Sequence, residues 1–318
     1  MEKNAKIYVS GHSGLVGNAV CKILKTQGYE NIITRSHKDL DLLSQSQTDE
    51  FFKKEKPDYV IHLAGKVGGI RGNKTYPADY IYENLTINSN VIFSSHKHKV
   101  KKLLNLGSVC IYPVLAPIPI KEEYLLTGPL EYTNEGYALA KIASLMMCKK
   151  YFEQYGDNFI SVMPANLYGP FDNFDPLNGH VIPMLMGRIH KAKLNGDKEV
   201  TIWGTGKPTR DFLYSEDVAD ALIFIMNNYN EKEHLNISTS VETSIKDLVE
   251  QLVKVIGYTG NISYDTSKPD GTPKRYLDTT KVNSIGWKAK VSLNEGLNKT
   301  YKWFLENEKY INDKYHIW

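Results

Sequence analysis

The stretch from Lys6 to Gly17 restricts this chain to a narrow set of folds. Lys6-Ile7-Tyr8-Val9-Ser10 reads as a short buried strand, and Leu15 to Gln27 carries the spaced apolar residues of a helix. Between them lies Gly11-His12-Ser13-Gly14-Leu15-Val16-Gly17, with a glycine at every third position. One glycine permits the tight turn out of the strand, one lets the backbone approach a pyrophosphate, and one lets the helix pack closely on the sheet. The helix N-terminus then offers unpaired N–H groups to phosphates. A plain strand-to-helix turn fits the same residues. The strand, the spacing and the position near the start of the chain together favour a dinucleotide site.

The pattern that follows repeats the same unit. Strands are predicted at Asn31 to Thr34, Asp58 to Ala64, Lys101 to Leu106 and Phe159 to Met163, with helices at Tyr76 to His98 and Gly136 to Tyr155. Strands alternating with helices give a doubly wound, parallel α/β sheet of the Rossmann type. Ligands bind such sheets beyond the carboxyl ends of the strands, where Gly11, Leu63, Ala64, Gly65, Leu106, Ser108 and Pro164 to Leu167 fall. At the end of the second strand, the place of a ribose-binding carboxylate is taken by Arg35, which suits a 2′-phosphate and so NADP(H). A solvated basic turn is the alternative there. Asp41 either sits beneath the adenine or caps the next helix.

After Pro164 the rhythm changes. Phe171 to Gly179 is loop-like, Val181 to Leu194 helical, Val200 to Trp203 a short strand, Gly204 to Pro208 a turn and Asp211 to Asn228 helical. Ile245 to Ile256, a loop at residues 268–273 and Leu293 to Phe304 complete the chain. These features predict a dinucleotide-binding domain over residues 1–165, to which 211–238 returns. A smaller C-terminal α/β substrate domain is expected from 166–210 and 239–318, with the substrate pocket in the cleft between the two.

Composition narrows the class of protein. The 318 residues carry a net charge of +3, which gives no electrostatic case for nucleic acid or a membrane surface. Three scattered cysteines, Cys21, Cys110 and Cys148, neither frame disulfides nor make a zinc site, so no metal is expected. No apolar run approaches the length of a membrane span and no leader is evident, so a cytoplasmic enzyme is expected.

One pair of residues supplies the chemistry. Tyr137 and Lys141 are four apart, so on a helix they share one face. A lysine charge beside a phenol favours the phenolate, and such a tyrosine can pass a proton to and from a carbonyl oxygen. Ser108 can give that oxygen a second hydrogen bond. An isolated Tyr-x-x-x-Lys match more often marks an ordinary amphipathic helix; here it comes with a glycine-rich turn and a serine after the fourth strand.

Those three features, in that order, resemble the extended short-chain dehydrogenase/reductases. Longer phrases narrow the likeness: Lys66-Val67-Gly68-Gly69-Ile70, Tyr76-Pro77-Ala78-Asp79, Cys110-Ile111-Tyr112-Pro113, Asn166-Leu167-Tyr168-Gly169-Pro170, His180-Val181-Ile182-Pro183 and Ser267 to Pro273 resemble the GDP-L-fucose synthases over nearly the whole chain. The resemblance implies epimerisation of GDP-4-keto-6-deoxy-mannose at C3 and C5, then NADPH reduction at C4. It puts Tyr137, Lys141 and Ser108 in the reductase roles and Cys110 and His180 in the epimerase roles. It implies contact with NADP(H) by Gly11, Ser13, Gly14, Leu15, Val16, Gly17, Arg35, Asp41, Leu63, Ala64, Gly65, Leu106, Lys141, Pro164, Asn166, Leu167 and His180. Asn166, Arg188, Trp203, Arg210 and Asp278 are the implied contacts to the GDP-sugar. A homodimer through the tyrosine-bearing helix and its neighbour is expected by analogy.

Four positions depart from the family's pattern. Ser13 stands where an arginine is common, leaving Arg35 to carry the 2′-phosphate. Val109, Gly136 and Gly179 replace serine, proline and serine around the presumed sugar site, and the expectation from sequence is that they loosen or enlarge it. Two rival readings follow: a C4-reductase of a GDP-4-keto-6-deoxy-heptose without epimerisation, and a non-catalytic nucleotide-binding relative.

Overall fold

The computed structural model describes residues 1–176, 179–268 and 270–315. Leu177, Asn178 and Pro269, which fall in the two loops read from the sequence, lie outside the described residues. The first half of the chain runs β1 (Lys6–Ser10), α1 (Leu15–Thr26), β2 (Asn31–Ile33), α2 (Gln45–Glu55), β3 (Tyr59–His62), α3 (Ile70–Thr75), α4 (Pro77–Lys97), β4 (Lys102–Leu106), α5 (Glu135–Tyr155) and β5 (Phe159–Pro164). Then follow β6 (Asn166–Tyr168), α6 (Val181–Asn195), β7 (Glu199–Trp203), β8 (Thr209–Arg210), β9 (Phe212–Tyr214), α7 (Ser215–Asn228) and β10 (Leu235–Ile237). The last part comprises β11 (Thr243–Ser244), α8 (Ile245–Ile256), β12 (Asn261–Asp265), β13 (Lys274–Arg275), α9 (Thr280–Ser284), α10 (Leu293–Glu306) and α11 (Glu308–Tyr315).

Six strands form a parallel sheet in the order β10-β5-β4-β3-β1-β2. The order reverses beside β1, and this switch point leaves a crevice above the strand ends. Strands β1, β3, β4 and β5 are apolar and almost wholly buried because helices cover both faces. Helices α1 and α7 pack on one face, where Val16, Val20 and Leu24 meet Val218, Leu222 and Ile225 in one apolar cluster. On the other face Phe51, Phe52, Val91, Ile92 and Cys148 close a second cluster over Tyr8, Val60 and Leu103.

A third cluster lies apart from the six-stranded sheet. It joins Ile182, Met186 and Ile189 of α6 to Leu248, Leu252 and Ile256 of α8 and to Leu297 and Phe304 of α10. Two crossings tie this part to the sheet. Strands β6 and β9 pair in parallel, and Leu277, Val282 and Trp287 pack into the cluster of α1 and α7. Asp211 locks the second crossing: its buried carboxylate accepts from the Leu277 N–H at 2.9 Å and from the Ser238 hydroxyl.

The sequence-based elements shift in two places. Asp211 to Asn228 is not one helix, because Phe212–Tyr214 extends to pair with Asn166–Tyr168 and the helix begins at Ser215. Leu235–Ile237, too short to show a period, supplies the outer strand beside β5.

Candidate active site

The carboxyl ends of β1, β3, β4 and β5 open into one cavity of about 1480 Å³ that continues to α6, β7 and β8. Each sequence-predicted site residue except Asp278 lines it. Asp278 lies outside: its Oδ1 accepts from the Thr280 N–H at 2.8 Å, at the start of α9. A carboxylate ahead of a helix is drawn to the free N–H groups there, and that local bond satisfies it without a sugar.

The glycine turn is built by two different constraints. Gly11 has φ of +72°, and a Cβ on Gly17 would come within 2.1 Å of the Gly11 oxygen, so neither position admits a side chain. A Cβ on Gly14 would touch only the Gly11 oxygen, at an ordinary 3.6 Å. The packing of the described residues therefore does not demand Gly14, whereas a diphosphate lying on the backbone would. Gly14 also leaves the N-terminus of α1 without a side-chain cap, and its N–H groups face the cavity. The next wall is held by Ser10, whose hydroxyl accepts from the N–H of Leu63 at 3.1 Å and of Ala64 at 3.3 Å. Asn84 then clasps Lys66 on both sides, closing over Gly65. These features fit a dinucleotide lying across the strand ends.

At the far end of that groove Arg35 is already engaged. Its guanidinium meets Glu55 at 2.5 Å, donates to the Thr34 carbonyl at 2.8 Å and lies over the Phe51 ring. It is a partly exposed, oriented cation in the cavity wall, at the start of a turn whose residues Ser36 to Asp39 are exposed. Asp41 lines the cavity, with its Oδ1 accepting from the Leu43 N–H. Of the two roles read for it, the helix cap belongs to Ser44, which accepts from Gln47.

The candidate reacting groups stand where β4 gives way to α5. Asn105 of β4 donates to Ser144 and Ser161, seating α5 on the sheet. Tyr137 and Lys141 then face the cavity from one side of that helix. Lys141 is buried and donates to the Leu106 carbonyl at 2.8 Å, and burial lowers its pKa to about 8. Tyr137 differs from the expectation of a lowered phenol. Burial raises its pKa, the charge of Cys110 raises it further, and only the hydrogen bond with Ser108 pulls it down. The Lys141 ammonium is 5.8 Å from the ring centre and bonded elsewhere, so desolvation outweighs its attraction.

Ser108 also accepts from the Cys110 N–H at 3.3 Å, fixing the short turn that carries the thiol. The Cys110 sulfur accepts from the side-chain amide of Asn134 at 3.3 Å. His180 precedes α6, with Nδ1 at 3.7 Å from the buried carboxylate of Asp172. Burial alone would lower its pKa, but Asp172 outweighs that and leaves the imidazole more basic than usual. Sequence reasoning singled out neither Asn134 nor Asp172. The signals available were a polar residue just ahead of the tyrosine helix and an acid in the loop before the histidine.

At the other end Trp203 is 65% exposed, too open to be a core residue. Its ring is flanked by the Arg188 guanidinium at 5.9 Å and the Lys268 ammonium at 6.0 Å. Arg210 donates to the carbonyls of Thr209 and Thr272 and keeps further N–H groups in the cavity wall. Arg275, also missed from sequence, braces the wall by donating to the Val109 and Tyr112 carbonyls. Asn166 lines the cavity while donating to the Asp211 carbonyl.

The expected enlargement is corrected at one of the three positions, Gly136. Val109 and Gly179 line the cavity, but Gly136 does not. A Cβ at Gly136 would meet the Pro77 oxygen at 3.0 Å, so this glycine serves helix packing. At Gly179 a Cβ would strike the Asn173 and Asp175 oxygens at 2.5 and 2.6 Å, so that glycine serves a tight loop.

A sequence profile of the NAD dependent epimerase/dehydratase family matches residues 7–238. The chain is 54% identical over 307 residues to "Putative GDP-L-fucose synthase 2" of Arabidopsis thaliana, covering 96% of this chain and 94% of that one. Among solved structures it is similar to a GDP-6-OMe-4-keto-L-xylo-heptose reductase from C. jejuni, with TM-score 0.93, 38% identity and coverage of 96% and 99%. It is also similar to a GDP-L-fucose synthetase from Naegleria fowleri bound to NADP, with TM-score 0.90, 33% identity and coverage of 97% and 96%.

Proposed function

Since the chain belongs to the NAD dependent epimerase/dehydratase family and, within it, to the GDP-L-fucose synthases, we propose that this one cavity epimerises a GDP-4-keto-6-deoxy sugar at C3 and C5 and then reduces its C4 ketone. The protein is an NADP-dependent oxidoreductase, and NADP(H) is its cofactor. The observation that carries the reading is the convergence of Ser108, Cys110, Tyr137, Lys141 and His180 on a single cavity.

The roles follow from the environments. The C4 oxygen lies between the hydroxyls of Ser108 and Tyr137. Protons on C3 and C5 are acidified because the electron pair left behind is delocalised onto that oxygen. Cys110, acting as its thiolate, takes such a proton: the C–H bond breaks, an S–H bond forms and the enolate is held by the two hydroxyls. His180, kept basic enough by Asp172 to carry a proton, delivers it to the opposite face of the same carbon. Bound NADPH supplies the hydride for C4. Tyr137, protonated because it is buried, gives its proton to the C4 oxygen at that stage, and Lys141 holds the nicotinamide ribose.

Gly11 to Gly17, Leu63 to Gly65, Leu106, Pro164 to Leu167 and Arg35 form the dinucleotide half of the site. Arg188, Trp203 and Arg210 form the GDP-sugar half, with arginines on the diphosphate and the indole face on the base. On this division residues 1–165 and 211–238 carry the cofactor and the remainder carries the sugar. Among the described residues no helix is long and apolar enough to cross a membrane. A cytoplasmic homodimer is part of the proposal: Tyr82 and Phe93, on one face of α4, and Leu139 of α5 are exposed and available to a second copy.

The likeness to a heptose reductase supports a second reading, C4 reduction of a GDP-heptose without epimerisation. Incubation of the 4-keto sugar in heavy water without NADPH decides between them. Deuterium at C3 and C5, lost in Cys110→Ala, is the expected outcome. No deuterium with the unmodified enzyme, together with NADPH oxidation on the heptose, would replace the first reading by the second.

A further inference from the structure

Asn134 occupies the N-cap position of α5, the helix that carries Tyr137 and Lys141, yet its side chain does not cap that helix. An asparagine there ordinarily turns its Oδ1 to a free N–H of the first turn. Among the described residues Oδ1 is buried without a partner, and the Nδ2 end donates to the Cys110 sulfur at 3.3 Å. With none of these residues bonded to Oδ1, the contact with sulfur is the one that orients the amide. The same thiol is fixed from the other side by the Ser108 hydroxyl on its own N–H. The thiol of a partly buried cysteine in the cavity wall is thereby given one direction and one donor.

We propose that Asn134 is a positioning residue for Cys110: its amide N–H aims the sulfur into the cavity and stabilises the negative charge left when the thiol has given up its proton. The proposal rests on the reading in which Cys110 handles the protons at C3 and C5. A proton acceptor acts only while charged, and a hydrogen-bond donor on sulfur favours that state over the neutral thiol. The donor must not itself release a proton, or the removed hydrogen would be lost to it. An amide meets that condition, whereas a lysine or histidine in its place would compete. Asn134 thus does for the thiol what Asp172 does for His180, with the opposite sign.

The test uses the intact enzyme in four forms, unmodified, Asn134→Ala, Asn134→Asp and Asn134→Ser, with Cys110→Ala as a fifth for the wash-in control. Iodoacetamide labelling of Cys110, quantified on its peptide across pH 6–10, reports the charged sulfur independently of turnover. The expected result is a labelling midpoint moved to higher pH in all three variants, furthest in Asn134→Asp, where a carboxylate faces the sulfur. Deuterium wash-in at C3 and C5 should fall about tenfold at pH 7, with NADPH affinity retained. Serine keeps a helix-capping hydroxyl but is too short to reach the sulfur. Wild-type labelling and wash-in in Asn134→Ser, with losses in Asn134→Ala alone, would make the role that of a helix cap and overturn the proposal. Should Cys110→Ala itself wash in deuterium normally, the broader reading falls while the labelling shift stands. Should Cys110→Ala be inert and labelling be unchanged in every Asn134 variant, only the present inference falls.

Discussion

The Lys141 ammonium lies 5.8 Å from the centre of the Tyr137 ring and spends its hydrogen bond on the Leu106 carbonyl, 2.8 Å away. The phenol is therefore governed by its own burial, which keeps it protonated, and not by the neighbouring charge. A protonated, dehydrated phenol is the form needed to hand a proton to a ketone oxygen as the carbon is reduced.

Replacement of Tyr137 by Phe removes that donor and little volume. Reduction of the 4-keto sugar should fall by about 10²–10⁴-fold, while NADPH affinity, read by fluorescence titration, stays within about threefold. Turnover near the unmodified rate would remove Tyr137 from its assigned role.

Lys141 makes a prediction with a defined sign. Its pKa in the fold is about 8, below the ~10.4 of an unfolded lysine, so between these values the unfolded chain holds more protons. Stability against urea should rise with pH across that window. Relative to Lys141→Met, whose packing does not titrate, the unmodified enzyme should gain roughly 2 kcal/mol between pH 7.5 and 10. A difference that stays flat would place the lysine in water.

Asp172 holds His180 in favour of its protonated form. With asparagine at position 172 the imidazole loses its proton at lower pH, so the alkaline fall in wash-in at C3 and C5 should move to lower pH. At pH 8 wash-in should be about tenfold slower. An unmoved pH profile would detach Asp172 from the proton chemistry.

Cofactor choice is predicted to turn on Glu55. Its carboxylate partly neutralises Arg35, the cation that remains for a 2′-phosphate now that position 13 is a serine. Glu55→Gln should tighten NADPH about two- to fivefold and leave NADH unchanged, as measured by calorimetry. Equal changes for both cofactors would show that the pair only shapes the loop.

Much of this was readable in advance because its signals are local. The glycine turn announces itself by spacing, and four residues of helix put Tyr137 and Lys141 on one face. The failures share a different origin. Leu235–Ile237 and Phe212–Tyr214 are three-residue strands whose identity comes from their pairing partners. Asp278, implied only by the resemblance, bonds the Thr280 N–H two residues away and does not line the cavity. The sign of the Tyr137 shift depends on how much water the fold removes, which no spacing between residues records. Asn134 and Asp172 act across 24 and 8 residues of chain, distances that only the folded loops close.

Gly136 carries a consequence for how such enzymes diverge. The methyl group it lacks would press on the Pro77 oxygen of α4, so the spacing of the two helices is set at this point. A side chain here needs α4 or α5 to give by a few tenths of an ångström, and the next residue along is Tyr137, the proposed proton donor. Drift at this one position would retune the reach of the phenol toward its ketone, altering the rate of the redox step while every group that performs it is left in place.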